Sequence, residues 1–292
     1  MKHAYVFPGQ GSQFPGMGKN LYDSDSRARE FFEQANSILG FRITDIMFEG
    51  DAEDLKATAV TQPAVFLHSV VAALCSNIHP DMTAGHSLGE FSALTVAGVL
   101  SLKDALTLVS VRAGAMQKCC EKVPGAMAAV IGGDASLIEE TCSETPGTVV
   151  AANYNSDSQI VISGEEASVD AAMESLRAKG IRKIIKLQVG GAFHSPLMEP
   201  AREELAAAIE KARFTNPHCP VYQNVDALPH TDPAQIKRNL LMQLTSPVRW
   251  TQTVRSMITD GATSFTEVGP GKVLQGTIHK IAPDIEVGGL PE

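Results

Sequence analysis

Gly85-His86-Ser87-Leu88-Gly89 is a Gly-x-Ser-x-Gly run between a short apolar stretch, Met82–Gly85, and a long helical pattern. In a strand-to-helix turn of this kind the flanking glycines let the backbone bend sharply around the serine. The hydroxyl is pushed out of the chain, and Leu88 N–H falls at a helix start, where it can face an oxyanion. Ser87 is thus a candidate nucleophile for acyl transfer. The same five residues also fit a plain turn with an ordinary serine, so the rest of the chain has to decide.

On either side of this turn, strands alternate with helices. Ala4–Phe7 reads as a buried strand running into the tight turn Pro8-Gly9-Gln10-Gly11-Ser12; Phe14 stands where a dinucleotide fingerprint needs its third glycine. Gly269-Pro270-Gly271-Lys272 lacks the first glycine of a phosphate loop and is a second turn. Helical patterns cover Arg27–Leu39, an apolar helix opened by Thr61-Gln62-Pro63 and running to about Ile78, Leu88–Val99, and Leu102–Cys119 with Ser101 as its cap. Beyond Pro124-Gly125 the rhythm changes. Strands are predicted at Ala126–Ile131, Thr148–Ala152, Gln159–Ser163 and Ile181–Val189, and helices from Asp134 to Ser143 and over Glu165–Ala178. That β-α-β-β-α-β order is the ferredoxin-like pattern. A loop over Gly190–Pro196 follows, then a helix at Glu199–Ala212, a strand at Val221–Asn224, a helix at Pro233–Leu244, a strand at Ser264–Val268 and a last helix. The fold class expected is α/β, a mainly parallel sheet flanked by helices with an α/β-hydrolase-like core, carrying an inserted ferredoxin-like α+β subdomain. The division expected is 1–122 plus 190–292 for the large catalytic subdomain and 123–189 for the small one.

The chain has 292 residues, 44% of them hydrophobic, which is enough for a sizeable core. Its net charge of −9 argues against nucleic acid as a partner. No signal-peptide pattern opens the chain and no apolar run approaches a membrane span. The five cysteines have neither zinc nor redox spacing, which predicts reduced thiols, no metal site and a cytoplasmic protein. A monomer is the expected state.

A serine nucleophile needs a base. Among eight histidines, His194 stands out because it follows a glycine pair on a loop; a structural loop histidine would look the same. No acidic residue is a clear third triad member: Asp226 and Asp232 come after the histidine, whereas α/β-hydrolases place the acid before it. Arg112 interrupts the apolar stretch Ala105–Met116, which predicts at least partial burial, against the alternative of a surface arginine with its stem packed. A buried guanidinium calls for an anionic partner. Arg177, Lys179, Arg182, Lys183 and Lys186 crowd the end of the small subdomain, either as a solvated face or as a docking surface for something acidic.

At this point the motifs carry a resemblance. Phe7-Pro8-Gly9-Gln10-Gly11-Ser12-Gln13, Thr61-Gln62-Pro63-Ala64, Gly85–Glu90 and Arg112 ahead of Met116-Gln117 match malonyl-CoA:acyl carrier protein transacylases in order. So do Asn153-Tyr154-Asn155-Ser156, Gly191–Met198, Gln243 with Pro247-Val248-Arg249-Trp250, and Glu267–Leu274. The chain resembles that family nearly end to end, stopping a few residues after Gly288-Gly289-Leu290. The resemblance implies Ser87 as nucleophile and His194 as base, with a backbone carbonyl from the Gln243 segment in place of a triad acid. It implies an oxyanion hole from the N–H groups of Gln10 and Leu88, and Arg112 on the malonyl carboxylate. Phe193, Met116, Gln62 and Asn155 would line the substrate site, Phe193 disfavouring a 2-methyl branch. Arg182, Lys183 and Lys280 would meet the carrier protein or CoA phosphates. Malonyl-CoA and holo-acyl carrier protein would be substrates, with no cofactor, in fatty acid or polyketide synthesis. Two rivals stay open: a serine esterase or thioesterase, which needs an acid on the histidine, and a non-catalytic carrier-protein-binding subunit.

Overall fold

The structure is a computed structural model and describes residues 2–290. Among these residues ten strands form two sheets. In chain order they are β1 (Lys2–Phe7), β2 (Met82–Gly85), β3 (Gly125–Ile131), β4 (Val149–Ser156), β5 (Gln159–Glu165), β6 (Lys183–Lys186), β7 (Val221–Tyr222), β8 (Pro229–His230), β9 (Ala262–Glu267) and β10 (Glu286–Gly289).

The larger sheet runs β10-β9-β1-β2-β7-β8, parallel throughout except for the edge strand β8. Its centre is apolar on both faces: Ala4, Val6 and Phe7 of β1 and all of β2 are buried. That is the pattern of a parallel sheet covered by helices on both sides. On one side the helix Gly89–Val96 packs against β1 and β2, and the helices Thr58–Cys75 and Leu102–Lys122 pack on it and on each other. Thr58–Cys75 has the length and the mean hydropathy, 1.5, of a membrane span, and so exceeds what the sequence reading allowed. Its residues are mostly buried in the core instead. It also starts one turn ahead of Thr61. Pro63 therefore stands inside the helix, past its first turn, where its missing N–H withholds one internal bond.

The smaller sheet is antiparallel, in the order β4-β5-β3-β6. Helices Ala135–Glu144 and Glu166–Ala178 pack on one face with Ala126, Ala128, Val130, Ile160 and Ile162. Strand alternation turns Met127, Ala129 and Val161 the other way, into the core shared with the larger sheet. This is the ferredoxin-like order expected. Ser101 caps its helix as predicted, accepting from Asp104 N–H at 3.0 Å. Asp134 holds the cap position of its helix, but its carboxylate takes the Ser136 hydroxyl instead.

Several elements depart from the sequence reading. β4 continues four residues past Ala152 because its pairing with β5 runs on to Ser156 opposite Gln159, and on its other edge Val248 N–H donates to Ala152 C=O at 2.8 Å and Tyr154 N–H to Val248 C=O at 2.9 Å. β6 is shorter than predicted, its pairing with β3 covering only Lys183–Lys186. The helices Lys19–Ser24, Ile43–Glu49 and Trp250–Thr259 and the strands β8 and β10 were not foreseen.

Candidate active site

β2 delivers the chain to Ser87, whose φ is 53°; His194 and Ala227 are the other non-glycine residues with positive φ among those described. The flanking glycines serve close approach rather than the bend itself. A Cβ on Gly85 would lie 1.9 Å from the Gly89 carbonyl carbon, and one on Gly89 would lie 2.0 Å from Phe7 O. The strand end, the helix start and the end of β1 therefore meet backbone to backbone, and the turn of the Gln10 loop is pressed on the elbow. Gly9 is likewise bare toward His86 O, where a Cβ would sit at 2.6 Å. None of the hydrogen bonds of the described residues uses the N–H of Gln10 or of Leu88, and both residues line the cleft.

His194 meets Ser87 from the loop after β6, its Nε2 2.7 Å from Ser87 Oγ. Nδ1 lies 3.1 Å from Gln243 O and 3.2 Å from Ser246 O. Carbonyl oxygens only accept, so Nδ1 carries the proton and Nε2 offers its lone pair to the serine hydroxyl. Among the described residues no carboxylate takes part: Asp226 pairs with His230 at 2.8 Å and Asp232 caps the helix Pro233–Met242. Burial, reinforced by the Arg112 cation, pulls the His194 pKa down to about 3.

Arg112 is 1% exposed. Its Nη1 donates to Gln62 Oε1 at 2.7 Å, and its Nη2 donates to Ser87 Oγ at 2.9 Å and to Gln243 Oε1 at 3.2 Å. Gln62 is fixed in turn by a contact of 3.3 Å to Met116 Sδ. Every partner is neutral, so the anion that a buried guanidinium calls for is not among them. The nearest compensation is Glu90, buried beneath the elbow, which opposes the burial that pushes the Arg112 pKa down to about 10. Glu90 accepts from Gln223 Nε2 and from Asn224 N–H, both at 2.9 Å, and burial raises its own pKa. Sequence reasoning missed Glu90, although it interrupts an apolar helix just as Arg112 does.

These groups face a cleft of about 340 Å³ between the two sheets. Met116 and Phe193 line it from the large unit, and Met127, Ala129, Asn153, Asn155 and Val161 from the open face of the small sheet. His86 Nε2 and Asn155 Oδ1, 2.9 Å apart, tie the elbow to β4. Arg182, Lys183 and Lys280 are exposed and lie outside the cleft lining. Of the basic cluster, Lys179 is bound to Glu144, and Lys186 to Glu166 and Asp170. Among the described residues no group of three or more His, Cys, Asp or Glu could hold a metal ion.

Residues 4–285 match the acyl transferase domain family. A malonyl CoA-acyl carrier protein transacylase of Bacillus subtilis is 43% identical over 286 residues, covering 96% of this chain and 90% of its own. That of Haemophilus influenzae is 41% identical, covering 98% and 94%. The chain belongs to the malonyl-CoA:acyl carrier protein transacylase family. Among solved structures of this family, that from Coxiella burnetii superposes with a TM-score of 0.95 at 37% identity, covering 99% of this chain and 94% of its own. A malonyl-transacylase in complex with a type II polyketide acyl-carrier protein superposes with a TM-score of 0.94 at 36% identity, covering 99% and 95%. The transacylase family thus accounts for the elbow, the parallel sheet and the inserted small sheet together.

Proposed function

We propose that this chain transfers the malonyl group from malonyl-CoA to the pantetheine thiol of an acyl carrier protein, supplying fatty acid synthesis, through a malonyl-serine. The observation that carries this reading is a buried guanidinium 2.9 Å from the nucleophile's oxygen with no anion among the described residues bonded to it. An acyl group ending in a carboxylate supplies that anion, and the fork geometry of arginine suits it. Ser87 Oγ attacks the thioester carbonyl while His194 Nε2 takes its proton. The N–H groups of Gln10 and Leu88 stabilise the oxyanion. The C–S bond breaks and CoA leaves with the proton. The carrier thiol then gives its proton to His194 and attacks the malonyl ester, and Ser87 is restored. The thioester itself carries the acyl group, so this scheme uses no cofactor. The division at 1–122 with 190–292 and 123–189 belongs to the same proposal, as do a monomeric state and a cytoplasmic setting.

An esterase would want an acid on His194, where two carbonyls stand. Intact mass after mixing with malonyl-CoA separates the readings. A transacylase shows a malonyl adduct that holo-acyl carrier protein discharges, a hydrolase yields only free acid, and a binding subunit shows no change.

Burial and the Arg112 cation favour neutral imidazole, so the base remains active well below the ordinary histidine range. Substrate carboxylate will offset the arginine, but burial persists. The acid limb of kcat/KM for acylation is therefore expected well under pH 6, and a limb at the ordinary histidine value of about 6.5 would contradict it.

Arg182 and Lys183 are exposed and make no ion pair among the described residues. With Lys280 they form the proposed docking surface for an acidic carrier or for CoA phosphates. Reversing the charges of Arg182 and Lys183 should lower kcat/KM for the carrier more than for a small pantetheine thiol, with the gap narrowing at high salt. Equal losses at both salt concentrations would remove docking from this surface.

A further inference from the structure

The two peptide planes flanking Ser87 are each held by a side-chain amide. Asn224 Oδ1 accepts from Ser87 N–H at 2.8 Å, and its Nδ2 donates to Gly85 C=O at 2.7 Å. On the other side Gln243 Nε2 donates to Ser87 C=O at 3.0 Å. The Gln243 amide cannot turn over, because its Oε1 accepts from Arg112 Nη2 at 3.2 Å. A trans peptide carries its C=O and N–H on opposite sides of one plane. Holding Ser87 C=O therefore sets the direction of Leu88 N–H. Ser87 sits at φ 53°, a conformation that persists only where its surroundings impose it. Within the turn itself, the bond from Glu90 N–H at 3.1 Å is the other hold on that carbonyl.

We propose that the side-chain amide of Gln243, with Asn224 behind the preceding plane, aims Leu88 N–H at the thioester oxygen. Gln243 is then a positioning residue through its side chain, separately from its backbone carbonyl on His194. The inference rests on the acyl-transfer reading of the site. It differs from a role for Gln243 in acyl choice, because oxyanion stabilisation serves every acyl group alike.

The test uses Gln243→Met, which keeps length and backbone carbonyl but has neither the amide donor nor its acceptor, and Gln243→Ala. Rates are expressed per active site, titrated as acyl-serine formed at long times, so that misfolded protein does not count. Acylation should slow about 10–100-fold in kcat with both malonyl-CoA and acetyl-CoA, by factors agreeing within about threefold. KM should stay within about threefold and the pH profile should not move, since the imidazole is held by backbone. Rates near wild type in both variants would overturn the inference and leave only the carbonyl role. A loss confined to malonyl-CoA would also overturn it, assigning the side chain to Arg112 alone. If the wild type forms no malonyl-serine, the parent reading fails, and this one with it; unimpaired variants of an acylating wild type sink this one only.

Discussion

A Ser87→Ala variant is expected to take up no malonyl mass from malonyl-CoA. Ser87 Oγ is the one hydroxyl that lies 2.7 Å from His194 Nε2 while accepting from Arg112 at 2.9 Å. In the proposed scheme His194 takes its proton through the first contact, and the second favours negative charge on the oxygen left behind. No cysteine lines this cleft to replace it. The fold should survive. The strained backbone at this position is set by Asn224 and Gln243, which bond main-chain atoms and not the hydroxyl. Losing the hydroxyl's two bonds should cost only about 1–3 kcal/mol. Intact mass after incubation, with circular dichroism as the folding control, reads the outcome. A malonyl adduct that persists in the folded variant would place the nucleophile elsewhere.

The elbow and the small sheet were legible because their signals are local. A glycine on each side of a serine after an apolar strand, or strands and helices alternating at regular intervals, can be read without knowing any partner. Arg112 was legible for a related reason: a charge inside an apolar helical stretch has to be buried or compensated. The same rule applied to Glu90 would have exposed the carboxylate under the elbow, so that omission was avoidable. Other features have no local signal. The strand Glu286–Gly289 pairs two glycines with Thr266 and Glu267 of β9, and its register comes from that neighbour alone. The other edge of β4 is bonded by a segment almost a hundred residues later, at Val248 and Thr251. The five basic residues near the end of the small unit look alike in sequence. Only the fold sets Glu144 beside Lys179, and Glu166 and Asp170 beside Lys186, so that two of them already have acidic neighbours. The carbonyls on His194 are the extreme case. Backbone oxygens have no residue code, and it was family resemblance that pointed to the Gln243 segment.

Replacing Arg112 by alanine should change which acyl group is accepted. In the free protein the guanidinium is held by Gln62, Gln243 and Ser87, all neutral, and it is buried with its Nε unpartnered. Such a cation is costly to desolvate, and the raised energy of the empty site is released when a carboxylate arrives. In the proposed scheme malonyl-CoA brings that carboxylate beside Ser87, and paired charge-assisted bonds to Arg112 hold the thioester there. In the alanine variant the same carboxylate enters the cleft without a counter-charge and close to Glu90. The loss for malonyl should be about 3–5 kcal/mol, the range for stranding one member of a buried ion pair. Acetyl and longer acyl thioesters carry no such charge and meet a roomier, less polar site, so their rates should fall little or rise. Two effects oppose a clean result. Gln243 loses the donor that fixes its amide, and Ser87 loses a bond that stabilises its alkoxide. Both act on every acyl group equally and cancel in a ratio. The malonyl to acetyl ratio of kcat/KM should therefore fall by at least about a hundredfold, since each 1.4 kcal/mol is tenfold. An unchanged ratio in a folded variant would make Arg112 a support for the serine alone, and selection of malonate would have to reside in another part of the cleft.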